Sequence, residues 1–205
     1  MLRTTLAAIA GALLIGAQAA AAPAQLDAGA ALLAQLARQP VRPFSTVDFG
    51  RANNPQGRSV LVPQAEAERL LTGLRGKLRP GLVAFIGVTN NMASPKQQGV
   101  ELVLAEGADQ FDILRVAQTD GVNHGLETED IVKELRAWDK EFGIDIWQAE
   151  TDTVQLRLKR LPKDLPAFAE RVYKFCPDIV EQGVGDVGAL AKEIARTKTV
   201  FLWWD

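Results

Sequence analysis

The stretch "IDIWQAETDTVQLRLK", residues 144–159, reads as two strands joined across Glu150, Thr151 and Asp152. In its second strand Val154, Leu156 and Leu158 alternate with Thr153, Gln155, Arg157 and Lys159, so one face is apolar and the other wet. Such a hairpin needs a cover for its apolar face, and the flanking sequence supplies helices on both sides. Upstream, "ETEDIVKELRAWDKEF" (127–142) sets Ile131, Leu135, Trp138 and Phe142 on one side, with Thr128 as the expected N-cap and acids in the first turn. Downstream, "DLPAFAERVYKFC" (164–176) turns Leu165, Phe168, Val172 and Phe175 inward. "DVGALAKEIART" (186–197) follows with Val187, Leu190 and Ile194 inward behind Asp186 as its cap, and "TVFLWWD" (199–205) reads as a last strand.

The same order occurs earlier. "SVLVP" (59–63) is a short strand, and "QAEAERLLTGLRGKL" (64–78) is a helix with Leu70, Leu71, Leu74 and Leu78 on one face. "GLVAFIGVT" (81–89) is a nearly unbroken apolar run, the pattern of a strand buried on both sides, and "GVELVLAEG" (99–107) is its expected partner across the loop "NNMASPKQQ". "ADQFDILRVAQT" (108–119) fits helix or strand, with Phe111, Leu114, Val116 and Ala117 favouring a helix. Helix, hairpin, helix thus occurs over residues 64–119 and again over 127–176, which suggests a pseudo-duplication. The expected fold class is α+β, a mostly antiparallel sheet with helices packed on one face and a ferredoxin-like second half.

Residues 1–22 carry Arg3, an uncharged stretch from Leu6 through Ile15, and small residues matching an A-x-A cleavage pattern. A signal peptide is expected, cut after Ala19 or after Ala21, with periplasmic or secreted localisation. Loss of Arg3 takes the net charge from −2 to −3. Residues 23–58 read as an amino-terminal helix over 26–38 and a flexible arm rich in proline and glycine, and residues 59–205 as the α+β domain. The acidic balance, with basic residues interleaved among acids, excludes the basic excess that phosphate backbones select, so nucleic acid is not an expected partner. Cys176 is the lone cysteine and forms no internal disulfide.

Three segments, "FDILRVAQTDGVNHGLETEDIVKELRAWDKEFGIDIWQAETDTVQLRL", "FCPDIVEQGVGDVGALAKEI" and the terminal "LWWD", resemble the bacterial domain-of-unknown-function family 4253. The resemblance runs from about Val62 to Asp205. It implies no established activity; some members look like small stand-alone proteins of the kind found near toxin and immunity systems. The export signal departs from the cytosolic members the resemblance implies.

In "FCPDIVEQGVG" (175–185), Pro177 ends the preceding helix, Gly183 and Gly185 suit a tight turn, and Asp186 caps the next helix. That leaves Cys176, Asp178 and Gln182 without a turn duty. A catalytic reading pairs Cys176 with His124, the chain's one imidazole, as a small cysteine-dependent hydrolase or transferase. An inert core thiol is the competing reading. One His and one Cys, 52 positions apart, make no zinc set. Asp120, Asn123, Glu127 and Glu129 offer oxygens, but acids there also start a helix. No cofactor or metal is expected.

The favoured reading is therefore a non-enzymatic exported binding protein for an unknown protein or small-molecule ligand. Its expected binding residues are Asp120, Asn123 and His124 from one loop, Asp178 and Gln182 from another, and Trp204. Trp203 and Trp204 must lie on opposite faces of the last strand.

Overall fold

The computed structural model describes residues 24–47, 51–89 and 99–205. The signal peptide expected over 1–22 and the loop expected over 90–98 lie outside the described residues. Seven strands form one sheet in the order β1-β2-β4-β3-β5-β6-β7. They are β1 (Arg42–Phe44), β2 (Gly57–Val62), β3 (Leu82–Ile86), β4 (Val100–Glu106), β5 (Ile144–Ala149), β6 (Thr153–Leu158) and β7 (Thr199–Trp203). Every neighbouring pair is antiparallel except β3 and β5. The chain is α+β with a mostly antiparallel sheet.

Helix α1 runs through residues 24–37, followed by α2 (Gln64–Arg75), α3 (Asp112–Ala117), α4 (Thr128–Phe142), α5 (Leu165–Phe175) and α6 (Val187–Thr197). Strand alternation sorts the core into two layers. Val83, Phe85, Val103 and Ala105 join the large cluster under α3 to α6, while Ala84, Ile86, Leu102 and Leu104 meet the leucines of α1 and α2 on the opposite face. Over β5, β6 and β7 the helices α4 to α6 do cover a single face. Over β4 and β3 both faces are covered, which is why those strands are buried at successive positions.

Four further expectations change. The described residues of the arm expected over 23–58 are part of the body: Leu33 and Phe44 are fully buried, and β1 pairs with β2. The ferredoxin-like second half keeps its hairpin between helices, but its strands lie in sequential order, β5-β6-β7, with none interleaved. The two halves share an element order and differ in placement, since α2 and α3 lie on opposite faces whereas α4 and α5 share one. At the start of α4 the cap is Glu127, whose N–H donates to Asp130 Oδ2 at 3.0 Å, and not Thr128. Asp186 caps α6 as expected, accepting from Ala189 N–H at 2.8 Å, and Asp164 caps α5, accepting from Ala167 N–H at 3.0 Å.

The parallel pair at the centre is open at one end. β3 and β5 pair at Ile86 and Gln148, and below that point side chains take the place of strand hydrogen bonds. Arg75 Nε donates to the Ala84 carbonyl at 2.8 Å, its Nη2 to the Ile146 carbonyl at 2.5 Å and its Nη1 to Asp145 Oδ1 at 2.7 Å. From the other face, Gln110 accepts from Ile146 N–H at 3.0 Å and donates to the Ile144 carbonyl at 3.3 Å. No helix among the described residues is long and apolar enough to cross a membrane.

Candidate functional site

Proline at 177 stops α5 at Phe175, and the chain then winds into a π-helical turn, Ile179–Val184, closed by Gly185 at φ 90°. Only glycine takes that angle without strain. The turn holds Asp178 in place as a hub. Its Oδ2 accepts from Asp205 N–H at 2.9 Å and contacts His124 Nε2 at 2.8 Å, and its Oδ1 accepts from Gln182 Nε2 at 3.2 Å. Asp178 is 6% exposed, and the Asp205 N–H, followed by the His124 and Gln182 side chains, holds its carboxyl below the usual carboxylate range.

His124 arrives from a loop that closes on itself. Gly121 and Leu126 form an antiparallel bridge, and Val122–His124 make a 3₁₀ turn between them. The loop is fixed at its root because Asp120 N–H donates to the Thr151 carbonyl at 2.9 Å and Thr119 Oγ1 to the Glu150 carbonyl at 2.6 Å. Gly121 lies flat against the Trp204 ring, where a Cβ would stand 3.0 Å from Cγ. The structure thus brings the loops holding Asp120, Asn123 and His124 and holding Asp178 and Gln182 together.

Trp204 does not line that surface. Strand alternation turns it to the helix-covered face, where it is 3% exposed, packs edge-to-face on Phe175 and donates from Nε1 to the Phe175 carbonyl at 3.2 Å. It supports the loop from beneath, and the partly exposed tryptophan is Trp203 on the opposite face. Asp120 Oδ1 accepts from Val122 N–H at 3.4 Å within its own turn, whereas Asn123 is exposed. In the capping box the Glu127 side chain accepts from the Asp130 N–H, and Glu129 pairs with Arg115 at 2.7 Å, so two carboxylates of the set weighed for calcium are already engaged.

Cys176 serves the sheet. Its Sγ accepts from Trp203 N–H at 3.2 Å and donates to the Trp203 carbonyl at 3.0 Å, closing the outer edge of β7 at that residue. Burial pushes the thiol up to about 11, so about one thiol in 10⁴ is ionised at pH 7. Native Cys176 is expected to resist maleimide labelling at neutral pH and to react after denaturation; rapid native labelling would return the thiol to the catalytic candidates.

Other residues carrying the geometry have no motif. Glu101 is a fully buried carboxylate on β4 that gathers Arg42, Arg51 and Ser59. Glu150 sits at the carboxyl end of β5, receiving Thr89 N–H and Oγ1, and burial pushes its carboxyl up. A charged residue inside an apolar strand, as in "GVELVLAEG", is the one sequence signal that marks Glu101.

No curated protein and no solved structure matches the chain. A family model described as Domain of unknown function (DUF4253) matches residues 101–205, a narrower span than the resemblance from Val62. The matched stretch begins in β4 and contains both loops joined by His124 and Asp178, and the chain belongs to this family of domains of unknown function, DUF4253.

Proposed function

We propose that the chain is an exported, non-enzymatic binding protein whose contact surface is built from the 120–124 loop and the π-helical turn Ile179–Val184. The observation that carries this reading is the 2.8 Å contact between His124 and Asp178, which ties the two loops into one support. On that support Val122 is 75% exposed, with Asn123 and Gln182 exposed beside it. An apolar side chain held out on a fixed loop, flanked by amides, suits the pocket of a partner, and loops on a rigid scaffold are where binding residues concentrate. Export rests on the sequence pattern of residues 1–22, and the partner is a protein or small molecule and not a nucleic acid, given the acidic balance. The alternative, a hydrolase or transferase using Cys176 and His124, requires a thiolate that burial disfavours.

Two measurements test the proposal. The exported protein should have an intact mass that places its first residue near Ala20, and a full-length membrane-retained species would refute export. Val122→Asp and Asn123→Ala should each lower recovery of partners from the exported fraction about tenfold while leaving the melting temperature unchanged. Undiminished recovery by both variants would refute the surface.

A further inference from the structure

A groove of about 370 Å³ follows the outer edge of β7, walled by Ile179, Val184 and Leu190 on the helix side and by Phe201 and Trp203 on the other. β7 lines it through Thr199, Phe201 and Trp203. In the β6/β7 ladder Leu158 N–H donates to the Lys198 carbonyl and Trp204 N–H to the Asp152 carbonyl, so residues 198, 200, 202 and 204 face β6. Thr199, Phe201 and Trp203 therefore turn their N–H and C=O groups outward. Cys176 Sγ occupies those of Trp203, and Thr197 Oγ1 accepts from Thr199 N–H at 3.1 Å. The N–H and C=O of Phe201 have no partner among the described residues, and the side chains of Phe201 and Val184 are 40% and 38% exposed beside them.

Past the Trp203 end of the groove lie acids. Trp204 N–H is tied to the Asp152 carbonyl, Asp120 N–H to the Thr151 carbonyl and Asp205 N–H to Asp178, which gathers the carboxylates of Asp120, Asp152 and Asp205 at this end. Their proximity shows in Asp152, whose carboxyl is pushed up by burial and then by the charges of Asp205 and Asp120. Among the described residues none of these three carboxylates has a cationic side-chain partner. Glu193, paired with Arg196, adds a further acid to the groove lining.

We propose that this groove receives an extended segment of a partner polypeptide, apolar where it lies against Phe201 and Val184 and basic where it reaches Asp120, Asp152 and Asp205. The inference rests on the reading of the chain as a binding protein and names the chemistry of its partner. The free N–H and C=O of Phe201 match a polypeptide backbone added as a short eighth strand, the apolar walls match aliphatic side chains, and the uncompensated carboxylates match Lys or Arg. Cys176 Sγ at Trp203 confines the added strand to the register about Phe201.

The test is selection of a displayed library of random seven-residue peptides on the full chain. Enriched peptides should combine apolar residues with a terminal-side Lys or Arg, bind about tenfold more weakly to Phe201→Glu, and weaken as salt rises. The Asp120→Asn, Asp152→Asn double variant should lose the preference for basic residues while still binding the apolar part. Absence of any enrichment, enriched peptides without basic residues, or undiminished binding to Phe201→Glu would overturn the proposal. If Phe201→Glu does not fold, the double variant and the salt dependence decide alone. Recovery of partners through Val122 and Asn123 is measured separately, so failed peptide selection with intact, Val122-dependent recovery sinks this inference and leaves the binding surface standing.

Discussion

Replacing Glu101 by Ala should lower the unfolding free energy by about 3 kcal/mol, the lower end of the loss seen when one partner of a buried ion pair is removed. Glu101 lies in the centre of the sheet with its side chain fully out of water, and its Oε1 accepts from Arg42, from Arg51 at 2.8 Å and from Ser59 at 3.3 Å. Truncation leaves two guanidinium groups and a hydroxyl turned toward an empty site. The cost stays near the lower end because Arg42 and Arg51 keep 33% and 21% exposure and can turn toward water. Glu101→Gln, which retains the shape and one acceptor, should lose less. Urea unfolding of the two variants checks this, and a midpoint for Glu101→Ala equal to the parent's would remove the cluster from any role in stability. Because Arg42 stands on β1 and Glu101 on β4, the variant should also loosen the amino-terminal segment first, visible as faster amide exchange in α1 and β1.

The second large effect is expected at Arg75. Its guanidinium makes three bonds, to the carbonyls of Ala84 and Ile146 and to Asp145, across the gap where β3 and β5 separate. Burial lowers its pKa more than Asp145 raises it, which marks a cation held out of water for structural use. In Arg75→Met the apolar stem remains but two carbonyls lose their donors, so a loss of about 2–4 kcal/mol is expected. Arg75→Lys should recover little, because one ammonium cannot span the three acceptors of a planar fork. Amide exchange should rise in β3 and β5 and not in the β6/β7 hairpin; unchanged exchange at β3 and β5 would show that Gln110 alone closes the gap.

These two residues also mark where reading the chain stops. Glu101 stands out in sequence as a charge in an apolar strand, yet its partners Arg42 and Arg51 lie 59 and 50 positions away in a segment whose prolines and glycines read as an arm. Proline and glycine report local conformation, and the burial of Phe44 against Phe85, ring centroids 5.8 Å apart, is a long-range fact that overrides them. Arg75 closes an otherwise unremarkable helix, and nothing local distinguishes it from Arg69, which is exposed and pairs with Glu66 three residues earlier.

What the chain alone determines is periodicity and punctuation. Alternation along Thr153–Leu158, the helical spacing of Ile131, Leu135 and Trp138, the cap Asp186 and the break at Pro177 depend on neighbours within a few residues, and each appears in the structure where the residues place it. The unbroken apolar run of β3 likewise reports burial on both faces, because every position along it must be dry. Tertiary structure decides which elements supply that burial, and it places α1 and α2 on one side and α3 to α6 on the other. It also decides the sequential order of β5, β6 and β7 and the choice between two adjacent tryptophans, burying Trp204 beneath Gly121 and leaving Trp203 at the edge groove. The union of His124 with Asp178 belongs to the same class: two loops 54 residues apart meet because the β5/β6 turn anchors one and the end of β7 anchors the other. Strand order and face depend on the summed fit of whole elements, a global quantity that no local spacing of residues encodes.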